Sequence, residues 1–179
     1  MRWLLDLDLQ IFSLINRLPH TPLLDGAAYA VHRLTYGGLI YYPLLLLLAL
    51  RKDAKSRSLA KLGVIAGALN YVVVDLFLKN VFGRLRPSET LDAISISAAP
   101  ISHSFPSGQA ASAFVAATLV ALAYPERRKT KWAAFAGASL VALDRVYMGH
   151  HYPSDVIAGA ALGAAAAWAV FRIGTRAKK

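Results

Sequence analysis

Three short polar clusters interrupt an otherwise apolar chain, and each lies at the end of a long hydrophobic stretch. They read KNVFGRLRP at 79–87, SFPSGQ at 104–109 and DRVYMGHHYPSD at 144–155. Arginine binds phosphate oxygens through its planar fork, and lysine binds them as a point charge. The cations of these clusters, Lys79, Arg86 and Arg145, therefore predict a site for a phosphorylated ligand.

The third cluster contains the pair with the most specific chemistry, His151 and Asp155. A histidine can attack phosphorus while a carboxylate binds its other ring nitrogen, fixes the tautomer and stabilises the imidazolium that forms. Arg145 would neutralise charge on the transferring phosphoryl group. A helix-cap interaction around Pro153 is the alternative explanation of the pair. The neighbouring His150 is interpreted as a bystander.

The first two clusters supply groups that bind anions. Lys79 and Arg86 are seven residues apart, so a continuous helix would present them on one face and end before Pro87. Ser107 is a favourable N-cap for the apolar run that follows, and Gly108 lets a ligand approach the backbone closely. The alternatives are snorkelling of the two cations at a helix end, and ordinary helix capping by the serine.

The elements that must position these clusters are apolar and long. The chain of 179 residues is 56% hydrophobic with a mean hydropathy of +0.45. Both values are higher than those of an ordinary soluble domain. We predict a single all-α domain over 1–179, a polytopic membrane helix bundle with about five transmembrane helices. The first predicted span runs from about Leu24 or Leu34 to Leu50, and the other four run over about 62–82, 108–124, 132–148 and 155–173. Small residues such as the Gly159-x-x-x-Gly163 pair predict close helix packing.

The N-terminal stretch 3–18 has apolar residues at helical spacing, but Asp6, Asp8, Asn16 and Arg17 interrupt it. These polar residues favour a helix lying in the membrane interface, and a sixth span is the alternative. We do not predict a cleaved signal peptide in this stretch. Cysteine is absent, which excludes disulfides and thiolate metal sites.

The net charge of +10 is distributed as in a membrane protein and not as in a nucleic-acid-binding protein. Thirteen of the twenty Lys and Arg lie in 51–61, in 127–131 and in the tail after 171. Each segment flanks a predicted span, so the positive-inside rule predicts that all three are cytoplasmic. With five spans, all three polar clusters then lie on the extracytoplasmic face. Hydropathy and charge alone therefore predict that the clusters meet.

Together the clusters resemble the motifs of the type 2 phosphatidic acid phosphatase superfamily, which also includes vanadium haloperoxidases. The K-x6-R-P motif is present as Lys79 to Pro87, and the S-R-x5-H-x3-D motif as Asp144 to Asp155 with Asp in place of Ser. The P-S-G-H motif reads Pro106 to Gln109, with Gln in place of His. Order and spacing agree over about 79–155.

The resemblance implies a role for each matching residue. His151 would attack phosphorus to form a phosphohistidine, and Asp155 would orient it. Neither a metal nor a cofactor is expected in lipid phosphatases of this family. The phosphate would be held by Lys79, Arg86, Ser107, Gly108 and Arg145.

Gln109 is the main departure from the family pattern, because the family histidine at this position protonates the leaving oxygen. Glutamine cannot serve as that acid, and general acid catalysis is typically worth ~10²–10⁴-fold, so we expect impaired turnover. His103 is a candidate substitute. Gln109 is either an engineered substitution or a natural feature of a slow or lipid-binding relative. Asp144 would compete with phosphate for Arg145.

These observations predict a bacterial or archaeal membrane enzyme that removes phosphate from a lipid phosphate or diphosphate at the extracytoplasmic face. Polyprenyl diphosphate and phosphatidylglycerol phosphate both fit, and the expected partners are the lipid substrate and the bilayer, with no nucleic acid. A non-enzymatic phospholipid-binding or transport protein on the same scaffold is the alternative. A soluble haloperoxidase is disfavoured because the predicted spans leave no soluble body.

Overall fold

A computed structural model describes residues 2–176 of the chain and contains only helices and connections in that range. The basic residues Lys178 and Lys179 of the predicted cytoplasmic tail lie outside the described residues. The helices are α1 (Arg2–Asn16), α2 (Pro22–Thr35), α3 (Tyr41–Leu50), α4 (Ala54–Asn70), α5 (Lys79–Phe82), α6 (Pro87–Thr90), α7 (Gly108–Ala123), α8 (Arg128–Tyr147) and α9 (Pro153–Arg176).

Helices α7 and α9 form the centre of the bundle, and two glycines on α9 let them approach closely. A Cβ atom on Gly159 would lie 2.3 Å from the carbonyl oxygen of Ser107, and one on Gly163 would lie 2.1 Å from that of Ala111. Any larger residue would separate the two helices. The predicted packing role of this glycine pair is confirmed, and its consequence is that α9 is held against the start of α7.

Three long helices, α7, α8 and α9, agree with predicted spans to within four residues, whereas α4 begins eight residues before the second predicted span and the first predicted span ends in the short helix α3. Two continuous helical segments, Ala54–Thr90 and Pro153–Arg176, are long and apolar enough to cross a membrane, and two shorter apolar helices are Tyr41–Leu50 and Gly108–Ala123. Large apolar side chains lie exposed on the outside of the bundle, such as Leu47 at 64% and Phe77 at 61%. These surfaces suit contact with lipid chains.

The region between α4 and α6 differs from the predicted continuous helix. Helix α4 continues through a π-helical segment, Tyr71–Leu78, into α5, and the helix ends at Phe82 because Gly83 adopts a left-handed conformation with φ of 58°. Arg86 lies beyond this turn in extended conformation, and Pro87 begins α6. The prediction that Lys79 and Arg86 share one helix face is therefore wrong.

Two of the basic segments lie together at the end of the bundle where α7 ends. The ammonium of Lys55 lies 4.2 Å from the centre of the Tyr124 ring, and the guanidinium of Arg127 lies 5.3 Å from the same ring. Helix α7 runs from Gly108 to Ala123, so this end is remote from Ser107 and Gly108. The basic segments and the polar clusters thus occupy opposite ends of the bundle.

Helix α1 packs on the end of the bundle that carries the polar clusters. The side-chain amide of Asn16 donates to the carbonyl oxygens of Ile94 and Tyr147, and its oxygen accepts from the backbone N–H of Ile94. Three of the four hydrogen-bonding positions of this buried asparagine are therefore filled, which fixes α1 against the connection 91–107 and α8.

Candidate active site

The connection between α8 and α9 places His151 between an arginine and a carboxylate. Nε2 of His151 lies 3.1 Å from Nη1 of Arg86, and Nδ1 lies 3.5 Å from Oδ2 of Asp155. Arginine can only donate, so Nε2 carries the lone pair and the proton resides on Nδ1, facing the carboxylate. This is the tautomer that leaves Nε2 free to act as a nucleophile.

The protonation state of His151 agrees with this tautomer. Burial lowers the pKa of His151 to about 3, and the positive charge of Arg86 acts in the same direction, although Asp155 opposes both. The imidazole is therefore neutral at pH 7. A neutral imidazole is the form that can attack phosphorus.

Asp155 is fully buried, and its carboxylate is held by two groups besides His151. Its Oδ2 accepts from the backbone N–H of Tyr152 at 2.9 Å, and its Oδ1 accepts from Nη1 of Arg84 at 2.6 Å. The bond from Tyr152 caps the start of α9. Asp155 therefore caps the helix, which was the alternative explanation, and also faces His151. The carboxylate is thus fixed before any ligand binds.

Arg84 connects this carboxylate to helix α1. Its Nη2 lies 2.8 Å from Oδ2 of Asp8, and its guanidinium stacks 3.9 Å from the centre of the Tyr152 ring. Asp8 also accepts from the backbone N–H and the hydroxyl of Ser154 at the start of α9. An arginine outside the predicted motif positions therefore joins α1, the 83–86 turn and α9 around His151 and Asp155.

Lys79 and Arg86 reach the same cavity from different elements. Lys79 forms an ion pair of 2.6 Å with Asp75, one turn earlier on the same helix. The Arg86 guanidinium is buried and donates to the carbonyl oxygens of Ser102 at 2.8 Å and His150 at 2.9 Å. These carbonyls orient the guanidinium without neutralising it, so Arg86 keeps its full positive charge for an anion.

The start of α7 is arranged as the sequence predicts. Ser107 caps the helix by accepting from the backbone N–H of Ala110, and its own N–H donates to the carbonyl oxygen of Asp155 at 3.0 Å. A Cβ atom on Gly108 would lie 2.6 Å from Oδ1 of Asp75. The absence of a side chain at Gly108 lets a carboxylate lie against the helix start, a position that also suits an anionic ligand.

Arg145 and Gln109 form the other side of the site. Nη1 of Arg145 donates to Oε1 of Gln109 at 2.8 Å and lies 2.5 Å from Nδ1 of His32, while Nη2 pairs with Asp144. Nε2 of Gln109 donates to the hydroxyl of Thr35 at 2.9 Å. Arg145 is fully buried, and side chains of the protein already surround it. The predicted competition of Asp144 for Arg145 is present as an ion pair.

A cavity of about 790 Å³ brings most of the predicted residues together. Its polar end is lined by Lys79, Arg86, Gly108, Gln109 and His151. Asp155, Ser107 and Arg145 lie buried behind this wall and act on it through the contacts described above. Within residues 2–176, no group of three or more His, Asp or Glu side chains could hold a metal ion.

Several side chains at the site were not predicted from the sequence. His32 and Thr35 come from α2, and Asp8 comes from α1, far from the motifs in sequence. Arg84 differs, because its place two residues before Arg86 could have identified it. His150, interpreted from the sequence as a bystander, donates from Nε2 to the carbonyl oxygen of Ser97 and lies edge-on to His32.

About half of the chain is similar in sequence to curated lipid A 1-phosphatases. A lipid A 1-phosphatase of Porphyromonas gingivalis is 40% identical over 88 residues, which are 48% of this chain and 17% of that protein. The chain spans less than two fifths of the length of the curated lipid A 1-phosphatases that it matches.

Two solved structures share the fold over nearly the whole chain. The crystal structure of Aquifex aeolicus LpxE superposes with a TM-score of 0.76 at 32% identity and covers 93% of this chain and 95% of that chain. A transmembrane PAP2 type phosphatidylglycerolphosphate phosphatase from Bacillus subtilis gives 0.77 at 21% identity, covering 98% and 88%. The relatives and the apolar helices support a membrane location. A family model for the PAP2 superfamily matches residues 58–179, and the chain belongs to that superfamily.

Proposed function

We propose that this protein is a membrane lipid phosphatase that removes phosphate from a lipid phosphate or diphosphate through a phosphohistidine intermediate. The observation that carries the proposal is the state of His151. Its Nε2 is unprotonated and lies 3.1 Å from Arg86, while its Nδ1 faces the buried carboxylate of Asp155. A nucleophile and a cation for the phosphoryl oxygens therefore line one wall of the cavity, and the orienting carboxylate lies buried directly behind it.

The reaction has two steps in this proposal. Nε2 of His151 forms a bond to phosphorus as the bond from phosphorus to the lipid oxygen breaks, and that oxygen takes a proton from a donor. Water then attacks the phosphohistidine, releases inorganic phosphate and restores the imidazole. Arg86 and Lys79 stabilise charge on the phosphoryl oxygens in both steps, and Asp155 stabilises the positively charged ring.

This chain lacks the family's donor of the proton that the leaving oxygen needs. Gln109 occupies the position of the family's acid and is held between Arg145 and Thr35, and an amide does not protonate an alkoxide. We therefore propose a slow first step. His103 is not supported as a substitute, since its only described hydrogen bond is the one that its backbone carbonyl accepts from Arg86.

The substrates named for the relatives define the panel to be tested. Lipid A 1-phosphatase and phosphatidylglycerolphosphate phosphatase are the activities named for two of them. Both names describe release of inorganic phosphate from a lipid phosphate, and hydrolysis of a polyprenyl diphosphate to the monophosphate would release the same product. We propose that the site faces the extracytoplasmic side, because the basic segments around Lys55 and Arg127 lie at the opposite end of the bundle.

A phosphate-lipid-binding protein without turnover is the second candidate. One observation favours it: the Arg145 guanidinium is already bound by Gln109, His32 and Asp144. A site whose second cation is enclosed and whose acid is missing retains the cradle of Lys79 and Arg86 for binding.

Phosphate release and phosphoenzyme trapping distinguish the two candidates. The parent chain, Gln109→His and His151→Gln are purified in detergent and incubated with a lipid A 1-phosphate, phosphatidylglycerol phosphate and a polyprenyl diphosphate. Phosphatase function predicts phosphate release and an acid-labile, base-stable phosphoprotein in the first two forms, and neither in His151→Gln. Lipid binding by the parent and by Gln109→His without release or label would establish the binding protein instead.

A further inference from the structure

The cavity that holds the phosphate-binding residues continues away from them as an apolar groove. Its total volume is about 790 Å³, and beyond the polar end its walls come from α3, α4 and α7. Small residues, Gly63, Gly67, Ala68 and Ala116, line its middle. Its far end is lined by Leu48, Leu59, Val64, Leu119 and Val120.

The periodicity of the lining shows that the groove runs along the helices and not across them. On α7 the lining residues are Gly108, Gln109, Ser112, Val115, Ala116, Leu119 and Val120, which recur at helical spacing on one face. At a rise of ~1.5 Å per residue, the path from Gln109 to Val120 is about 16 Å long. The opposite wall on α4 runs from Asp75 back to Leu59 in the same manner.

Two features identify the occupant of the groove. The groove joins the cations Lys79 and Arg86 without interruption, and charged residues are confined to that one end. A ligand that fills it must carry an anionic group at one end of a long apolar body. We infer that the groove holds the hydrocarbon tail of the lipid whose phosphate lies at His151, and that the absence of a side chain at Gly67 lets long tails extend past it.

Gly67 is the position from which the groove can be shortened. A Cβ atom built on it meets nothing within 4 Å, so a larger side chain has open space to enter. Gly63, one turn earlier, differs because its Cβ would lie 2.5 Å from Cδ2 of Leu45, where α3 packs against α4. Gly67 precedes Asp75 by eight residues, which is about 12 Å along the helix.

The groove acts on selectivity more than on affinity in a membrane. A lipid tail that leaves the bilayer for an apolar groove exchanges one apolar environment for another, so burial alone gives little driving force. What the groove adds is a fixed path for the tail, which orients the phosphate toward Nε2 of His151. Tails that reach past Gly67 gain this orientation, and short tails do not.

The first test is the chain-length dependence of phosphate release in Gly67→Leu. The inference rests on the proposed phosphatase function, so the parent and Gln109→His provide the reference, with hexyl, octyl, dodecyl and hexadecyl phosphates in mixed micelles of constant composition. We expect the preference in kcat/KM for hexadecyl over octyl phosphate to fall by about tenfold or more in Gly67→Leu. Gly137→Leu on α8, whose added side chain also meets open space, should leave the profile unchanged.

The second test does not need turnover. An alkyl phosphate with a photoreactive diazirine on its terminal carbon is cross-linked to the parent, and the labelled peptides are mapped by mass spectrometry. We expect labels on α4 and α7, lost when excess hexadecyl phosphate competes and reduced in Gly67→Leu. Labels confined to α1 or α8 would overturn the inference.

The two failures have different signatures. If the probe labels the groove but no form releases phosphate, the phosphatase function fails and the tail-binding groove stands. If the chain releases phosphate while Gly67→Leu keeps the parent's chain-length profile and labelling pattern, the groove does not hold the tail. Thermal unfolding of Gly67→Leu in detergent confirms that the variant is folded in either case.

Discussion

The two walls of the site differ in how much of the catalytic machinery is ready for a phosphate. On the His151 wall, the proposed nucleophile is neutral and its tautomer is set by Arg86 and Asp155. The guanidinium of Arg86 is oriented by carbonyl oxygens that leave its charge uncompensated. On the Gln109 wall, the guanidinium of Arg145 is fully buried and is bound by Asp144, Gln109 and His32.

The difference shows that a motif residue can be present and still be unavailable. Both arginines match the family pattern, yet only Arg86 lines the cavity. A carbonyl oxygen orients a guanidinium, whereas a neighbouring carboxylate also neutralises it, so the partner type decides which arginine can still attract an anion. Gln109 and Asp144 lie on the same wall, and these are the two positions at which the motifs depart from the family.

Removal of the proposed nucleophile should give the largest effect, because the His151 wall then lacks the group that attacks phosphorus. His151→Asn should reduce phosphate release from the lipid phosphate panel by about 10⁴-fold or more, because no other described group is placed to attack phosphorus. His20→Gln, at a histidine that binds Asp25 away from the cavity, is the control. Release that survives in His151→Asn would place the nucleophile elsewhere.

A histidine at position 109 should return the family's general acid to the Gln109 wall. Gln109→His should raise the rate on alkyl phosphates by ~10²–10⁴-fold, the typical value of general acid catalysis. An aryl phosphate whose leaving group needs no proton should show little gain. Gln109→Asn, which keeps the amide, serves as the control.

Equal gains on alkyl and aryl phosphates would contradict an acid role for position 109. They would indicate instead that the substitution freed Arg145 by removing the bond to Oε1 of Gln109. The ratio of the two gains therefore tells whether the missing proton or the enclosed cation limits the Gln109 wall.

The sequence predicted the His151 wall well because its residues lie in compact, ordered motifs. Helix ends that carry Lys79, Ser107 and Asp155 follow from the alternation of apolar runs and polar breaks. The error at Arg86 has a local cause, since Gly83 turns the chain four residues before the predicted stop at Pro87.

The partners from α1 and α2 could not be predicted in the same way. Tertiary packing alone brings His32, Thr35 and Asp8 to the site. The hydrogen bond from Gln109 to Thr35 joins residues that are 74 positions apart in the sequence, and the one from Arg145 to His32 joins residues that are 113 positions apart. No local pattern around these residues signals phosphate chemistry. The split of the first predicted span into α2 and α3, separated by the turn at Gly37 with φ of 60°, is what brings Thr35 to Gln109.

A smaller effect is expected from weakening the support behind His151. Arg84→Gln removes the ion pairs with Asp155 and Asp8 and should lower kcat by about 10- to 100-fold through misplacement of the pair, with less change in KM. Loss of this cation leaves Asp155 freer to stabilise the imidazolium, so the pKa of His151 should rise from about 3. Because neutral His151 is the active form, the acid limb of the rate profile should move to higher pH.

Arg57→Gln, at an exposed arginine on α4 that donates to the carbonyl of Lys52, is the matched control for Arg84→Gln. It removes the same charge from the chain without touching Asp155. An unchanged acid limb in Arg84→Gln, with only a lower melting temperature, would mean that Arg84 supports the fold and not the nucleophile.

The smallest expected effect concerns the bond that holds Gln109 in place. Thr35→Val preserves the shape of the side chain but leaves Nε2 of Gln109 without its acceptor at 2.9 Å, so the folded state should lose about 1 kcal/mol. Denaturant unfolding in detergent of Thr35→Val, Gln109→Leu and the double variant isolates the coupling between the two side chains. Coupling near zero would mean that Gln109 is free to leave Thr35. The Gln109 wall would then be less rigid than the His151 wall, in addition to having its arginine enclosed. A coupling of about 1 kcal/mol would instead mean that both walls are equally rigid, so that their difference lies in the chemistry of the residues and not in their order.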